Sequence, residues 1–331
     1  MSLKLEENSG TFGLIVEIID INLSLFSICL NLLVAHILVS RLRLVQSDTV
    51  VSFIICLIDL VYSSFSVINL VTIWSTKYQF LQTSTYFCQF NGLVYTFASS
   101  SVADIIMILA VLRFLAICYN RIYSIKIWVM ISGLLIAFNL ACSIVSFINI
   151  AFIVYPSIKY CTFNPDSAVG VIIWYILGIK EGVALVVIVF CYLGIARHYS
   201  NYIVEIKRDS SKFITQFHPK DNLEVSKNVT NSPLILDYTE AECKVKASIH
   251  KIYIIVTIYA LEFIGFLGIQ FAYKVHQTLP HKIADNIFSL LSHCIPLTSP
   301  LFVLFFHDET HHELQSMIYL WGYRVARKFR F

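Results

Sequence analysis

Few residues of this chain can do chemistry, and the ones that can stand far apart. Arg113, between Leu112 and Phe114 in an apolar run, carries a guanidinium that never deprotonates and offers several donors at once. Such a group can exchange one acceptor for another as neighbouring helices shift, or it can simply snorkel to an interface. Asp59 and Asn31, each inside an apolar stretch, together suit a water or a cation, although no ion is assigned to them. Lys180 and Glu181 are adjacent, and Glu262 stands alone in a later run. Consecutive helical residues point ~100° apart, so Lys180 and Glu181 do not face each other. Lys180 then either neutralises Glu262 or receives an acidic group of a ligand. His307-Asp308-Glu309-Thr310-His311 places two imidazoles one helical turn apart, as a zinc site would. The third histidine that a zinc hydrolase needs is missing from residues 50–196, leaving His36 as a candidate, and Asp308 breaks the His-Glu-x-x-His pattern. The residues therefore favour binding and switching over bond making.

The elements that must position these groups follow from composition. Of 331 residues, 57% are hydrophobic and 14% charged, against roughly 45–50% and 25% in an average globular domain. The net charge is +3 and the mean hydropathy +0.74. That excludes a disordered chain, a coiled coil, a disulfide-stapled mini-domain and a nucleic-acid binder. Crossing a hydrocarbon core of ~30 Å takes about 20 apolar residues. Residues 21–40, 127–158 and 286–307 hold no Asp, Glu, Lys or Arg; 49–76 hold only Asp59 and 78–112 only Asp104. The spacing predicts an all-α membrane protein: a seven-transmembrane helix bundle with spans near 14–40, 50–74, 86–118, 127–154, 168–196, 249–273 and 284–306. Pro156, Pro165 and Pro280 fall between spans, while Pro296 and Pro300 lie inside the last one. Lys and Arg divide 18 to 5 between alternate sets of connecting segments, with Lys180 in a span completing the 24. Their excess marks the cytoplasmic side, so residues 1–13 are expected outside the cell. The polar segment 197–247 is expected as a mobile cytoplasmic loop. In 307–331, Leu314, Met317, Ile318, Trp321 and Val325 recur at helical spacing among basic residues. That suits an amphipathic helix on the anionic inner leaflet; a disordered basic tail is the other reading.

Taken together, these positions resemble the rhodopsin-like G-protein-coupled receptors across most of residues 14–320. Asn31 with Val34 matches the motif of span 1, and Asp59 stands 28 residues on, where the family places an aspartate. Cys88 and, 25 residues later, Arg113-Phe114 match the two ends of span 3; Tyr192 matches the inner end of span 5. Cys161 then corresponds to the partner of the span-3 cysteine, which implies a Cys88–Cys161 disulfide. The resemblance also puts Lys180, Tyr95, His293 and Glu262 at the level of a ligand pocket, and Arg113, Asp59, Asn31, Tyr192, Ser299 and Pro300 in the coupling machinery. Departures are specific. Leu112 replaces the acid before the arginine, the Trp-x-Pro of span 6 is absent, and Ser299-Pro300 stands for Asn-Pro. This looks like a divergent member, similar to the lineage-specific receptor sets of nematodes or early fungi.

The resemblance implies a plasma-membrane receptor rather than an enzyme, with no cofactor. Its partners would be an extracellular or membrane-embedded ligand, a heterotrimeric G protein and membrane lipids. Tyr95 occupies the position where amine receptors of the family carry aspartate, which disfavours a simple amine. His293 replaces the retinal-binding lysine of the opsins, which disfavours a light sensor. A seven-span transporter or channel, and a seven-span zinc hydrolase, are the alternatives.

Overall fold

The computed structural model describes residues 11–217, 243, 245–254, 256–261, 282–306, 310, 314 and 316. Long helices dominate: α1 (Thr11–Ser40), α2 (Ser47–Ser75), the short α3 (Gln79–Thr83), α4 (Thr85–Tyr119), α5 (Ile125–Ile148), α6 (Ala168–Phe217) and α7 (Lys282–Phe306). Among the described residues, six helices are long and apolar enough to cross a membrane. The described parts of 245–261 are helical too. Much of the expected sixth span (249–273), with Glu262, the His307–His311 pair and the amphipathic segment lie largely or wholly outside the described residues.

Side chains sort by solvent as a bilayer requires. Ile179, Val186 and Phe190 on α6 are two-thirds exposed, which in water would be an open apolar face and in lipid is an ordinary one. The core runs through α4, where Val102, Ile105, Ile106 and Leu109 are buried together with Ile55 of α2 and Ile188 of α6. Ser84 starts α4 as its N-cap, accepting from the Phe87 N–H at 3.3 Å, and Asn120 ends it in the left-handed conformation, where asparagine is tolerated.

Three expectations change. The fold is not wholly helical: β1 (Phe152–Val154) and β2 (Cys161–Phe163) form an antiparallel hairpin, with Phe152 opposite Phe163 and Val154 opposite Cys161. The expected fourth span therefore stops as helix at Ile148 rather than 154; Phe152-Ile153-Val154 is apolar because it is a hairpin strand packed on α4, not because it crosses lipid. Last, the expected loop at 197–247 begins as helix, since α6 continues to Phe217. Lys, Arg and Glu there are good helix formers, so loss of hydropathy marks the end of the span and not of the helix.

Candidate functional site

The hairpin is tied down by amide side chains. Gln89 of α4 donates to the Phe152 carbonyl at 2.8 Å and accepts its N–H at 3.0 Å. Asn91 accepts the Cys161 N–H at 2.8 Å and donates to Asn69 of α2, which in turn donates to the Lys159 carbonyl at 2.7 Å. Each satisfies a buried backbone group that would otherwise go without a partner. Gly92 lets the hairpin approach: a Cβ there would sit 2.4 Å from the Phe152 ring. Cys88 and Cys161 form a disulfide with a Cα–Cα distance of 5.6 Å. These contacts hold the hairpin as a roof over the bundle.

Beneath it lies a cavity of about 80 Å³. Its aromatic walls are Tyr62, Tyr95, Tyr160, Phe163, Trp174 and Phe288, and its polar ones include Ser100, Lys159, Glu181 and His293. Tyr95 sits edge-on to Tyr62 at 5.2 Å and to Phe65 at 5.4 Å. His293 donates from Nδ1 to the Ser289 carbonyl at 2.7 Å, because a carbonyl only accepts, and meets the Ser66 hydroxyl at 2.6 Å. Lys159 enters from the hairpin and pairs with the buried Asp20 of α1 at 3.6 Å. Burial lowers the Lys159 ammonium below its ordinary range, against the pull of Asp20. Tyr160 donates to Asp285 of α7; burial, and then that carboxylate, hold its phenol well above the usual range. Asp285 also accepts the Ser157 N–H at 2.8 Å.

Lys180 is not in this cavity. Its ammonium turns aside to Asp104 of α4 at 2.6 Å and to Asn139 of α5 at 2.7 Å, a pin between three helices; Glu262, its other expected partner, lies outside the described residues. The ~100° between neighbours sends Glu181 the other way. Its carboxylate lines the cavity and accepts from Ser100 at 2.5 Å.

Midway down, Asn31 and Asp59 do not hydrogen-bond to one another. Pro300 has no N–H to give the carbonyl of residue 296, four positions earlier. Asn31 supplies that carbonyl with a donor at 2.9 Å and Ser27 another at 2.8 Å, which joins α1 to α7 at the proline. Asp59 is fully buried beside the Ser299 hydroxyl.

At the far end Arg113 meets a partner that its own neighbourhood in sequence does not announce. Its Nη2 lies 3.1 Å from Asp48, in the first turn of α2, and its Nε 3.3 Å from the same carboxylate. The guanidinium sits over the Phe302 ring at 4.8 Å and beside the Tyr192 hydroxyl, and Tyr192 packs edge-on against Phe302 at 5.5 Å. A cavity of about 900 Å³ opens here, lined by Asp48, Leu112, Arg113, Tyr192, Tyr199 and Lys251 among others. Gly194 allows the Phe114 ring to close in; a Cβ would come within 2.5 Å of it.

Of the residues picked out by sequence, Tyr95 and His293 line the hairpin-end cavity and Arg113 and Tyr192 the opposite one. Asn31, Asp59, Ser299 and Pro300 lie between, and Lys180 lies to the side. Sequence reasoning missed Asp20, Lys159, Asp285, Asp48 and the inward turn of Glu181. The only signal for Asp20 was its presence in an apolar run. No metal-holding group of His, Cys, Asp or Glu occurs among the described residues. In comparisons with known proteins, no family model matches the chain and no curated protein matches it.

Proposed function

We propose that the chain is a plasma-membrane receptor of the rhodopsin-like kind. A ligand entering at the hairpin end shifts the helices so that the arginine end engages a heterotrimeric G protein. The single observation that carries the reading is Arg113 held by Asp48, Tyr192 and Phe302 on three different helices at the mouth of a large cavity. A guanidinium shared in this way is a two-state element, because any movement of α2, α6 or α7 changes which acceptor it keeps. Two cavities at opposite ends of one bundle supply the two sites that linkage requires, and occupancy of either must tighten the other. The 18-to-5 charge bias supports a cytoplasmic arginine end and an external amino terminus, which also puts the Cys88–Cys161 bridge on the oxidising face.

The test needs no ligand. The purified chain in lipid nanodiscs is offered a panel of heterotrimeric G proteins and basal nucleotide exchange is followed. Exchange above the empty-nanodisc rate is expected with at least one of them, and Arg113→Ala should abolish it while surface expression is kept. Full exchange from Arg113→Ala would assign the arginine to the interface and remove the coupling role.

A further inference from the structure

We propose that the hairpin-end cavity is a cation site, with Glu181 as the counter-ion of a ligand that carries an amine or guanidine group. The inference rests on that cavity being the ligand site of the proposed receptor. Two residues of opposite charge type line it, Lys159 and Glu181. Lys159 already faces carboxylates: its ammonium sits 3.6 Å from Asp20, without a hydrogen bond among the described residues, and Glu17 and Asp285 add to the negative field around it. Glu181 is left over. The cation next to it in sequence is turned away to Asp104 and Asn139, and its one hydrogen bond among the described residues comes from the neutral Ser100. A buried carboxylate with no cation is costly, and a ligand ammonium would offset that cost. The walls agree. Tyr62, Tyr95, Trp174 and Phe163 line the same space, and aromatic rings attract cations through their quadrupole. The polarity is opposite to the one that Lys180, read from sequence, suggests. The acid stands on α6 at Glu181 instead of at the Tyr95 position, whose lack of aspartate disfavours a simple amine by resemblance.

Local potential can be measured without knowing the ligand. Thr96 lines the cavity one helical turn from Ser100, so Thr96→Cys places a thiol beside Glu181. Cys29 and Cys243, the exposed free cysteines, are replaced by serine. The full chain in detergent then reacts with cationic aminoethyl methanethiosulfonate or anionic sulfonatoethyl methanethiosulfonate, each rate being normalised to a small free thiol. The cationic reagent should be favoured by about tenfold or more, and Glu181→Gln should remove most of that preference. A second readout leaves position 181 intact: millimolar butylamine should slow modification of the Thr96→Cys thiol, whereas butanol and butyrate should not. Preference for the anionic reagent, a ratio unchanged in Glu181→Gln, or equal protection by all three compounds would overturn the proposal. A loss of cation preference leaves coupling through Arg113 standing. A cation-selective cavity in a protein that activates no G protein leaves the site standing without the receptor.

Discussion

Asp48→Asn removes the charge that holds Arg113 and keeps the shape, so it isolates the electrostatic part of the restraint. The contact is close, at 3.1 Å, and the two side chains are 8% and 18% exposed, so solvent screens it little. Breaking a buried pair from one side costs about 3–5 kcal/mol. Arg113 keeps Tyr192 and Phe302, which brings the loss down to about 2 kcal/mol, the size of one charge-assisted hydrogen bond. If that restraint acts only in the closed arrangement, its removal shifts the closed-to-open ratio roughly 30-fold. A receptor open about 1% of the time then becomes open about a quarter of the time. The assay is basal nucleotide exchange by reconstituted protein at matched surface expression. A rise of tenfold or more is expected from Asp48→Asn, and Asp48→Glu should stay near the parent rate. Basal exchange within twofold of the parent, in a mutant that folds, refutes the assignment of Asp48 as the restraint. It would also mean that Leu112 leaves the arginine without any acid to release.

Lys180→Met should destabilise the bundle by about 3–5 kcal/mol because Asp104 is left buried without its cation. The double variant Lys180→Met with Asp104→Leu should recover most of the loss in thermal unfolding, and failure to recover would mean that the pair does more than pin helices. Gly92→Ala drives a methyl group into the Phe152 ring at 2.4 Å and should cost about 1–3 kcal/mol. Its tryptophan emission should report a displaced hairpin next to Trp174, and an unchanged unfolding temperature would count against the close approach. Lys159 titrates below its ordinary value of 10.5 because of burial. The folded chain therefore releases that proton before the unfolded chain does, and stability gains with rising pH up to about 10.5. Measured against Lys159→Met, the parent should gain in relative stability across that window, and a relative loss would reverse the sign of the burial effect.

What could be read from sequence was what the bilayer dictates. Hydropathy and proline placed the six described apolar helices to within a few residues, apart from the end of α5, where β1 is as apolar as lipid-facing helix, and the end of α6, which runs on to Phe217 past the expected 196. Helical geometry alone separated Lys180 from Glu181. Which partner each side chain found was not legible, because the answer lies on another helix. Asp104 and Lys180 are 76 residues apart and Asp48 and Arg113 are 65, and no local pattern links either pair. Lys159 was counted among loop cations, and only the hairpin's inward fold, tied by Gln89 and Asn91, puts it against Asp20. The acid missing at position 112 shows the same limit: the vacancy was visible, its compensation by the first turn of α2 was not.

The two cavities share α6, and its periodicity aligns them. Glu181 and Tyr192 are 11 residues apart, close to three full turns at 3.6 residues per turn, so they project from one face about 16 Å apart along the axis. One end of that stripe lines the hairpin-end cavity through Glu181, and the other touches Arg113 through Tyr192. Lys180, pointing sideways, fastens the same helix to α4 and α5 through Asp104 and Asn139. A helix fastened and pulled at nearly the same level has no arm for tilting; a sideways pull there turns it about its own axis. On the proposed reading, a cation drawn toward Glu181 and the α4 hydroxyl of Ser100, one residue from the fastening, would turn α6, and Tyr192 on the same face would turn with it against Arg113. In that reading ligand binding shifts the equilibrium only as far as it favours the turned arrangement over the unturned one, which would give the Lys180 pin a part in the coupling as the axis of the turn.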